Sequence, residues 1–339
     1  MDQAHSRTRQ AALVILKVAV STFLIAFLLS KIGGKVVISQ IMLSDPVAFI
    51  ASAFMYLAAS YVSTLRWKLF IPCDIPPPRL FSMYMIGAFF NTCMPGIIGG
   101  DAVKAFYLSR AVRELSEGQK EVAQGERKHE GGETPGDWNV IAVASTFFDR
   151  YVGLSALIAI NIIAYPFGYA ILRDTPFQWF PPLLFLLFLI GSGVLFGAKL
   201  GGRFDFLRKT YQYFDSYRSA KVLMKSFLLS LVVQALGIIS AFVIARGLSL
   251  DISLLTFCLF LPLIILISMI PLSISGIGVR EGAFVYLLGS LGYPTGQLIT
   301  LSLLWFISIV AASAYGLFSY LRYRSRYGSE PESPGSRVV

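Results

Sequence analysis

Charged residues are scarce in this sequence. Only 14% of positions carry Asp, Glu, Lys or Arg, whereas 55% are hydrophobic and the mean hydropathy is +0.67. A soluble domain of this composition would lack the polar side chains that cover a core. The low charge content therefore excludes an ordinary soluble protein and predicts a multi-pass integral membrane protein.

Chemically reactive side chains are also few. The cysteines, Cys73, Cys93 and Cys258, include no CxxC pair, which argues against a disulfide framework or a metal cage. Both histidines, His5 and His129, lie in polar segments, and no GxxxxGK[ST] motif for ATP binding occurs. The sequence thus predicts no cofactor, no metal site and no ATP hydrolysis by the chain itself.

Apolar runs, by contrast, are long and numerous. An α-helix of roughly 20 apolar residues spans the hydrocarbon core of a bilayer. Six runs are predicted to be full transmembrane helices: Ala11–Ser30, Val47–Leu65, Val140–Tyr165, Pro181–Ala198, Ser226–Ala245 and Gln297–Leu321. The first is predicted to be a retained helix, because no small-residue cleavage site follows it. Two further apolar segments, Leu80–Leu108 and Ile252–Leu291, are interrupted by Pro, Gly and charged residues.

The distribution of Lys and Arg predicts the side of the membrane on which each connection lies, because basic residues accumulate in cytoplasmic loops. The N-terminus and the segments 104–128, 199–225 and 322–326 are rich in basic residues. If all four are cytoplasmic, each interrupted segment must enter and leave on the same side, as a re-entrant helical hairpin. Both termini are then cytoplasmic. The formal charge of +10 is expected to face anionic lipid headgroups rather than nucleic acid.

The two interrupted segments resemble one another. One contains MPGIIGGDAVKAF and the other IPLSISGIGVREGAF, each with a Pro, small residues, Gly and then a helix that opens with charge. Each follows two runs and precedes one, so the single membrane domain, 1–339, divides into repeats at 11–165 and 181–321. Three crossings per repeat give the repeats opposite orientations, as in many transporters. The loop 111–138 and the tail 322–339 are predicted to be flexible and cytoplasmic.

The breaks in the two hairpins predict a backbone anion site. Glycines are expected to shape the broken helices and to expose backbone amides: Gly96, Gly99, Gly100, Gly276 and Gly278. Asp101 is predicted to be the N-cap of one half-helix, and the other is expected to begin at Val279. Because helix N-termini favour anions, two such ends facing the middle of the protein predict a site for phosphate.

The candidate substrate-binding side chains lie beside the breaks and in the middle of one run: Asn91, Asp101, Lys104, Asp149, Arg150, Arg280 and Glu281. The cations among them are expected to hold phosphate, and the carboxylates to orient the cations or to take up protons, with Asp149 orienting Arg150. An Arg or Asp in the middle of a transmembrane helix costs roughly 2.5–3.5 kcal/mol, which favours a functional role. The alternatives are that the glycines merely permit tight packing and the charges only pair with each other, Asp101 with Lys104 and Glu281 with Arg280. For Asp149 and Arg150, the alternative is a packing salt bridge that fixes their helix against the hairpins.

The motif LRWKLF closes the second run and contains Arg66 and Trp67. An Arg–Trp–Lys cluster at the end of a span is typical of an anchor at the membrane interface. Contact with a lipid headgroup is the alternative interpretation.

Four stretches, in this order, resemble a known family: LRWKLF, GAFFNTCMPGIIGGDAVKAFYLSR, STFFDRYVGL and MIPLSISGIGVREGAFVYLL. They are similar to the flippase-like membrane domain of lysylphosphatidylglycerol synthases, and the resemblance covers nearly the whole chain. Because the chain ends shortly after its last run, a stand-alone member without the aminoacyl transferase domain is expected. Lysyl transfer is therefore not carried over to this chain.

The resemblance implies a lipid translocase in the plasma membrane of a prokaryote. Its expected substrate is an anionic, phosphate-bearing lipid, such as a phospholipid, a glycolipid or a polyprenyl-phosphate lipid. A transporter is favoured over an enzyme, because no nucleophile constellation and no acidic cluster for Mg²⁺ occur in the sequence. Two alternatives stay open: an integral membrane transferase acting on a lipid phosphate, and a non-transporting partner of a lipid-synthesis enzyme.

The predicted topology can be tested with single cysteines in a background that lacks the native three. Gln119→Cys and Tyr217→Cys should react with a membrane-impermeant thiol reagent only after the membrane is opened, because both lie in basic segments. Gln178→Cys should react in intact cells. Labelling of Gln119→Cys from outside would contradict the re-entrant assignment of the first hairpin.

Overall fold

The computed structural model describes residues 39–42, 44–93, 98–124, 138–197, 219–270 and 273–327, which are largely α-helical and include no β-strand. The principal helices, in chain order, are α1 (Pro46–Lys68), α2 (Pro77–Cys93), α3 (Ile98–Gln124), α4 (Trp138–Leu172), α5 (Phe180–Gly197), α6 (Ala220–Gly247), α7 (Leu254–Ser268), α8 (Val279–Gly289) and α9 (Thr295–Tyr327). A 3-10 turn, Ile274–Gly276, lies between α7 and α8.

Helices α1, α4, α6 and α9 are each long and apolar enough to cross a membrane. They contain four of the six predicted transmembrane runs, and the prediction of an all-helical, multi-pass protein is confirmed to that extent. Helix α5 contains most of a fifth run but is shorter, at 18 residues. The run Ala11–Ser30 lies outside the described residues.

The bounds of α1 follow from its local sequence. Asp45 caps the helix by accepting a hydrogen bond from the Val47 amide at 2.9 Å, and Pro46 occupies the first helical position. Arg66 and Lys68 lie in the last turn, where the helix dipole favours positive charge.

The first interrupted segment forms a pair of antiparallel helices, α2 and α3. Near its base, Arg79 Nη2 contacts Glu114 Oε2 at 2.7 Å. Further along, a Cβ on Gly87 would lie 2.9 Å from Lys104 Cβ. At the end of α2, Asn91 Oδ1 accepts a hydrogen bond from the Gly100 amide, near the start of α3. Contacts thus join ever later residues of α2 to ever earlier residues of α3, as a helical hairpin requires.

The second interrupted segment consists of α7, the 3-10 turn and α8, with α7 packed against α8. Gly276 has a φ of +74° and Gly278 has a φ of +86°. Residues other than glycine rarely adopt this region of backbone conformation. These two glycines therefore play the turn role that the sequence predicts for them. Ser275 also has a positive φ, of 50°.

The two hairpins meet at their broken ends. Ser275 Oγ donates to the carbonyl oxygen of Thr92 at 2.7 Å and lies 3.2 Å from that of Asn91. Both carbonyls belong to the last turn of α2, where main-chain oxygens lack partners within the helix. The 3-10 turn of one hairpin thus satisfies polar groups that the break in the other leaves free.

Helices α1 and α6 run antiparallel. The start of α1 lies against the end of α6, since a Cβ on Gly247 would lie 2.6 Å from Ala48 Cβ. The end of α1 reaches the first half of α6, where Arg66 Nη1 donates to Ser230 Oγ at 2.8 Å.

Helix α4 runs parallel to α6. Arg66 bridges Asp149 of α4 and Ser230 of α6 at one level. One turn further along both helices, Gln234 Nε2 donates to the carbonyl oxygen of Gly153 at 2.9 Å.

Helix α9 runs parallel to α1. Thr300 contacts Gln40, which precedes α1, at 2.8 Å, and further along Ser308 contacts Ser52 at 2.9 Å. Helices α1 and α6, and likewise α4 and α9, occupy matching places in the two predicted repeats. In each of these pairs the two helices point in opposite directions.

The helix contacts have the same pattern in both halves of the chain. The comparison concerns the contacts among α1 to α4 and α6 to α9. If α1 is exchanged with α6, α2 with α7, α3 with α8 and α4 with α9, each contact between two of these helices corresponds to a contact that is also present. Helix α2 packs on α9 as α7 packs on α4, and α1 packs on α9 as α6 packs on α4. Helix α3 packs on α4 as α8 packs on α9, and α1 and α6 pack on each other. This is the pattern expected of two repeats related by a two-fold axis.

The predicted flexible segments begin with helix. Helix α3 continues to Gln124, so the start of the predicted loop 111–138 is corrected, while 125–137 lie outside the described residues. An i,i+4 pair, Arg110 with Glu114 at 3.3 Å, supports the helix there. Likewise α9 continues to Tyr327, within the predicted tail 322–339.

Close packing of α9 on α2 can be tested at Gly316. A Cβ on this residue would lie 2.0 Å from the carbonyl oxygen of Met85, so Gly316→Ala should force the helices apart. We expect a loss of about 1–3 kcal/mol of stability, measured by thermal unfolding in detergent. Gly237→Ala is the matched control, because nothing lies within 4 Å of a Cβ there. Equal melting temperatures for the two variants would contradict the packing.

Candidate functional site

A cavity of about 400 Å³ lies between the two hairpins and the long helices. Tyr56 of α1, Val233 of α6 and Ile309 of α9 line it, each near the middle of its helix. Asn91 of the first hairpin and Ser275 of the second also line it. Broken backbone is tolerated at membrane depth only where it is buried in protein or borders a wet cavity, and described residues beside each interruption line this cavity.

The most accessible cation on the cavity wall is Arg150. Its Nε and Nη2 donate to the two carboxylate oxygens of Asp101 at 2.9 and 2.7 Å and so form a bidentate salt bridge. Asn91 lies between the helices, with its Nδ2 3.3 Å from Asp101 Oδ1 and its Oδ1 accepting from the Gly100 amide. The Arg150 side chain is 49% exposed and lines the cavity, so it has surface left for a ligand.

A second charged group is almost fully buried, although its Lys104 also belongs to the cavity lining. Asp149 accepts from Arg66 Nε at 2.8 Å and from Lys104 Nζ at 3.0 Å. Arg66 also reaches Ser230 of α6, and the Lys104 ammonium lies 4.0 Å from the centroid of the Trp67 ring. One carboxylate thus holds two cations and joins α1, α3 and α4.

The third charged group lies at the start of α8. Arg280 Nη2 donates to Glu281 Oε1 at 2.8 Å, and Ser302 of α9 contacts both side chains. Glu281 also accepts from the amide of Gly278, and so caps its own helix. The Arg280 guanidinium lies 4.2 Å from the centroid of the Phe306 ring.

Together the three groups contain four cations and three carboxylates. The formal excess of one positive charge at a partly apolar cavity favours an anionic ligand. Among the described residues, no three His, Cys, Asp or Glu side chains come together as a metal site would require.

The pairing of the charges differs from the sequence-based expectation. Asp149 does not orient Arg150, because adjacent residues on a helix point about 100° apart. Asp149 faces the buried group and Arg150 faces the cavity. Lys104 pairs with Asp149 rather than with Asp101, whereas the expected pair of Arg280 with Glu281 is present.

Arg66 and Trp67 are not anchors at the membrane interface. Arg66 is 4% exposed and Trp67 is fully buried. The carboxylate of Asp149 and the hydroxyls of Ser230 and Ser145 provide their polar partners, which lets both side chains turn inward. Their prediction as interfacial residues is corrected.

In the first hairpin, Gly100 serves the close packing of two helices. A Cβ on Gly100 would lie 2.0 Å from the carbonyl oxygen of Gly87, so Gly100 lets α2 and α3 approach closely. Its amide donates to Asn91 Oδ1 and is therefore already occupied. Gly99 lies beside it in the first turn of α3, and Gly96 lies outside the described residues.

In the second hairpin, Gly276 lines the cavity, whereas the amide of Gly278 is taken by Glu281. The expected role of Asp101 as an N-cap is also corrected, because α3 begins at Ile98 and places Asp101 in its first turn. The polar side chains, rather than free helix amides, therefore offer the groups that a ligand could contact.

Sequence reasoning missed the hydroxyl groups of the cavity wall: Tyr56, Ser60, Ser63, Tyr84 and Ser273. The first three are spaced four and three residues apart, which places them on one face of α1. That spacing within an apolar run was a signal that could have identified them.

Comparison with known proteins identifies the family of the chain. The family model described as the lysylphosphatidylglycerol synthase TM region matches residues 14–314. The chain therefore belongs to this family, and the resemblance inferred from the sequence is confirmed. No curated protein matches the chain.

The different burial of the two aspartates predicts different costs of removing their charge. Asp149→Asn leaves Arg66 and Lys104 without a counter-charge in a buried site, so a loss of about 3–5 kcal/mol is expected. Asp101→Asn should cost clearly less, because Arg150 borders the cavity and can be hydrated. Thermal unfolding of the purified variants in detergent measures both. Equal losses would contradict the assignment of a buried and an accessible group.

Proposed function

We propose that this member of the lysylphosphatidylglycerol synthase TM-region family moves an anionic, phosphate-bearing lipid between the leaflets of its membrane. The observation that carries the proposal is the position of Arg150. Its guanidinium is half exposed on the wall of a central cavity, at a site with more cations than carboxylates. A planar fork of this kind binds two phosphate oxygens at once.

The cavity has the two-sided character that a lipid requires. Asn91, Asp101 and Arg150 give it a polar side. Val233 and Ile270 contribute to an apolar side, and Ile270 is 47% exposed. A headgroup would occupy the polar side while the acyl or prenyl chains stay in the surrounding bilayer.

Binding of phosphate would proceed by exchange. Asp101 occupies both prongs of the Arg150 fork, and its carboxylate has the planar pair of oxygens that a phosphate also presents. A lipid phosphate would take this place, leaving Asp101 with the Asn91 amide. Asp101 thus neutralises the positive charge of Arg150 when no lipid is bound.

Transport also needs the site to face each leaflet in turn. The opposed directions of α1 and α6 and the exchangeable packing of the two halves support an inverted repeat. Rocking of one repeat against the other is the usual motion of such proteins. The hairpins, whose broken ends meet beside the middle of α1, would then be re-entrant, in an inner membrane with both termini cytoplasmic.

The role of Arg150 can be tested in liposomes that contain a fluorescent anionic phospholipid. Arg150→Ala should abolish transport, and Arg150→Lys should restore only part of it, because an ammonium keeps the charge without the fork. Arg173→Lys is the matched control, since Arg173 lies outside the cavity and pairs with exposed Asp174.

A double variant separates binding from structure. If Arg150 serves only as the partner of Asp101, then Arg150→Gln with Asp101→Asn should recover both stability and transport. The proposal expects stability without transport. Headgroup turnover by the wild-type protein would instead favour a lipid-phosphate transferase, and the lack of either activity would favour a partner of a lipid-synthesis enzyme.

A further inference from the structure

One wall of the cavity is rich in uncharged hydroxyl groups. Tyr56, Ser60 and Ser63 line it from α1, and Tyr84 lines it from α2. Tyr56 lies beside Ser60, and Tyr84 lies beside Ser63. Each hydroxyl oxygen has two lone pairs and one hydrogen, so these groups have capacity for hydrogen bonds to a ligand.

The second hairpin contributes further hydroxyls to the lining of the same cavity. Ser268 Oγ donates to the carbonyl oxygen of Ile264 at 2.6 Å, which leaves its own oxygen free to accept. Ser273 is only 4% exposed and lines the cavity, and its hydroxyl has no hydrogen-bond partner among the described residues. A buried, unpaired hydroxyl is costly, so the position of Ser273 points to a polar ligand group beside it.

The carboxylates at the cavity are already committed to protein cations. Asp101 is held by Arg150, Asp149 by Arg66 and Lys104, and Glu281 by Arg280. An ammonium group on a lipid would have to break one of these pairs to gain a counter-charge. It would also enter a site that already has an excess of positive charge.

From these contacts we infer the class of headgroup: a phosphate that carries an uncharged polyol, such as glycerol, inositol or a sugar, and no amine. This inference rests on the proposed function, because Arg150 is taken to hold the phosphate. The hydroxyl wall, from the α1 and α2 hydroxyls to Ser268 and Ser273, donates to and accepts from the polyol. Lipids with ethanolamine, choline or an aminoacyl group are disfavoured.

Binding of short-chain lipids to the purified full chain tests this inference. Dioctanoyl phosphatidylglycerol and phosphatidylinositol should bind about two- to tenfold more tightly than phosphatidic acid, which lacks the polyol, if one hydrogen bond or more is gained. Dioctanoyl phosphatidylethanolamine should bind more weakly than phosphatidic acid. Calorimetric titration in one detergent measures all four dissociation constants.

Variants of the wall show whether its hydroxyls cause the preference. Ser63→Ala combined with Ser273→Ala should reduce the preference for phosphatidylglycerol over phosphatidic acid severalfold, because the polyol loses hydrogen-bond partners that phosphatidic acid does not use. Ser313→Ala is the matched control, because Ser313 is a buried serine of α9 that does not line the cavity. A preference that survives in the double variant would overturn the assigned role of the wall.

The outcomes separate this inference from the proposed function. Equal binding and equal transport of phosphatidylglycerol, phosphatidic acid and phosphatidylethanolamine would overturn the headgroup assignment and leave lipid transport standing. Binding of free glycerol phosphate as tightly as the lipid would indicate a soluble ligand and overturn both. Lack of binding by any of these lipids would also overturn both.

Discussion

The buried carboxylate of Asp149 is the contact on which the rest of the site depends. It holds Arg66 of α1 and Lys104 of α3 at 2.8 and 3.0 Å, and it does so from the first half of α4. A charge at this depth is tolerable only with partners, so the three helices must pack together for any of these side chains to be buried. The same packing turns the next residue, Arg150, toward the cavity and places Asp101 opposite it.

The second constraint is that broken backbone inside a membrane needs polar partners. Ser275 supplies them to the end of α2, and Glu281 supplies one to the start of α8. Each hairpin thereby stops in the interior of the protein, and the cavity forms where the two ends meet.

How far the sequence predicts this structure depends on the range of the interactions. The apolar runs at α1, α4, α6 and α9 were predictable, because spanning a bilayer is a local requirement of length and hydropathy. The turn role of Gly276 was predictable for a similar reason, since few other residues adopt its φ. The inward position of Arg66 was not, because LRWKLF by itself has the composition of an interfacial anchor. Only a carboxylate 83 residues away along the chain makes its burial possible.

The sequence by itself determined that the protein is a helical membrane protein and that two of its apolar segments are interrupted by Pro, Gly and charged residues. These properties depend on composition and on neighbours a few residues apart. Tertiary structure alone decided that Arg150 pairs with Asp101, 49 residues away, and that Asp149 turns to Arg66 and Lys104. It also decided that hydroxyls such as Ser63 and Ser273 line one cavity. The physical reason is that the strength of a charge pair or hydrogen bond depends on distance in space, which the order of residues does not specify.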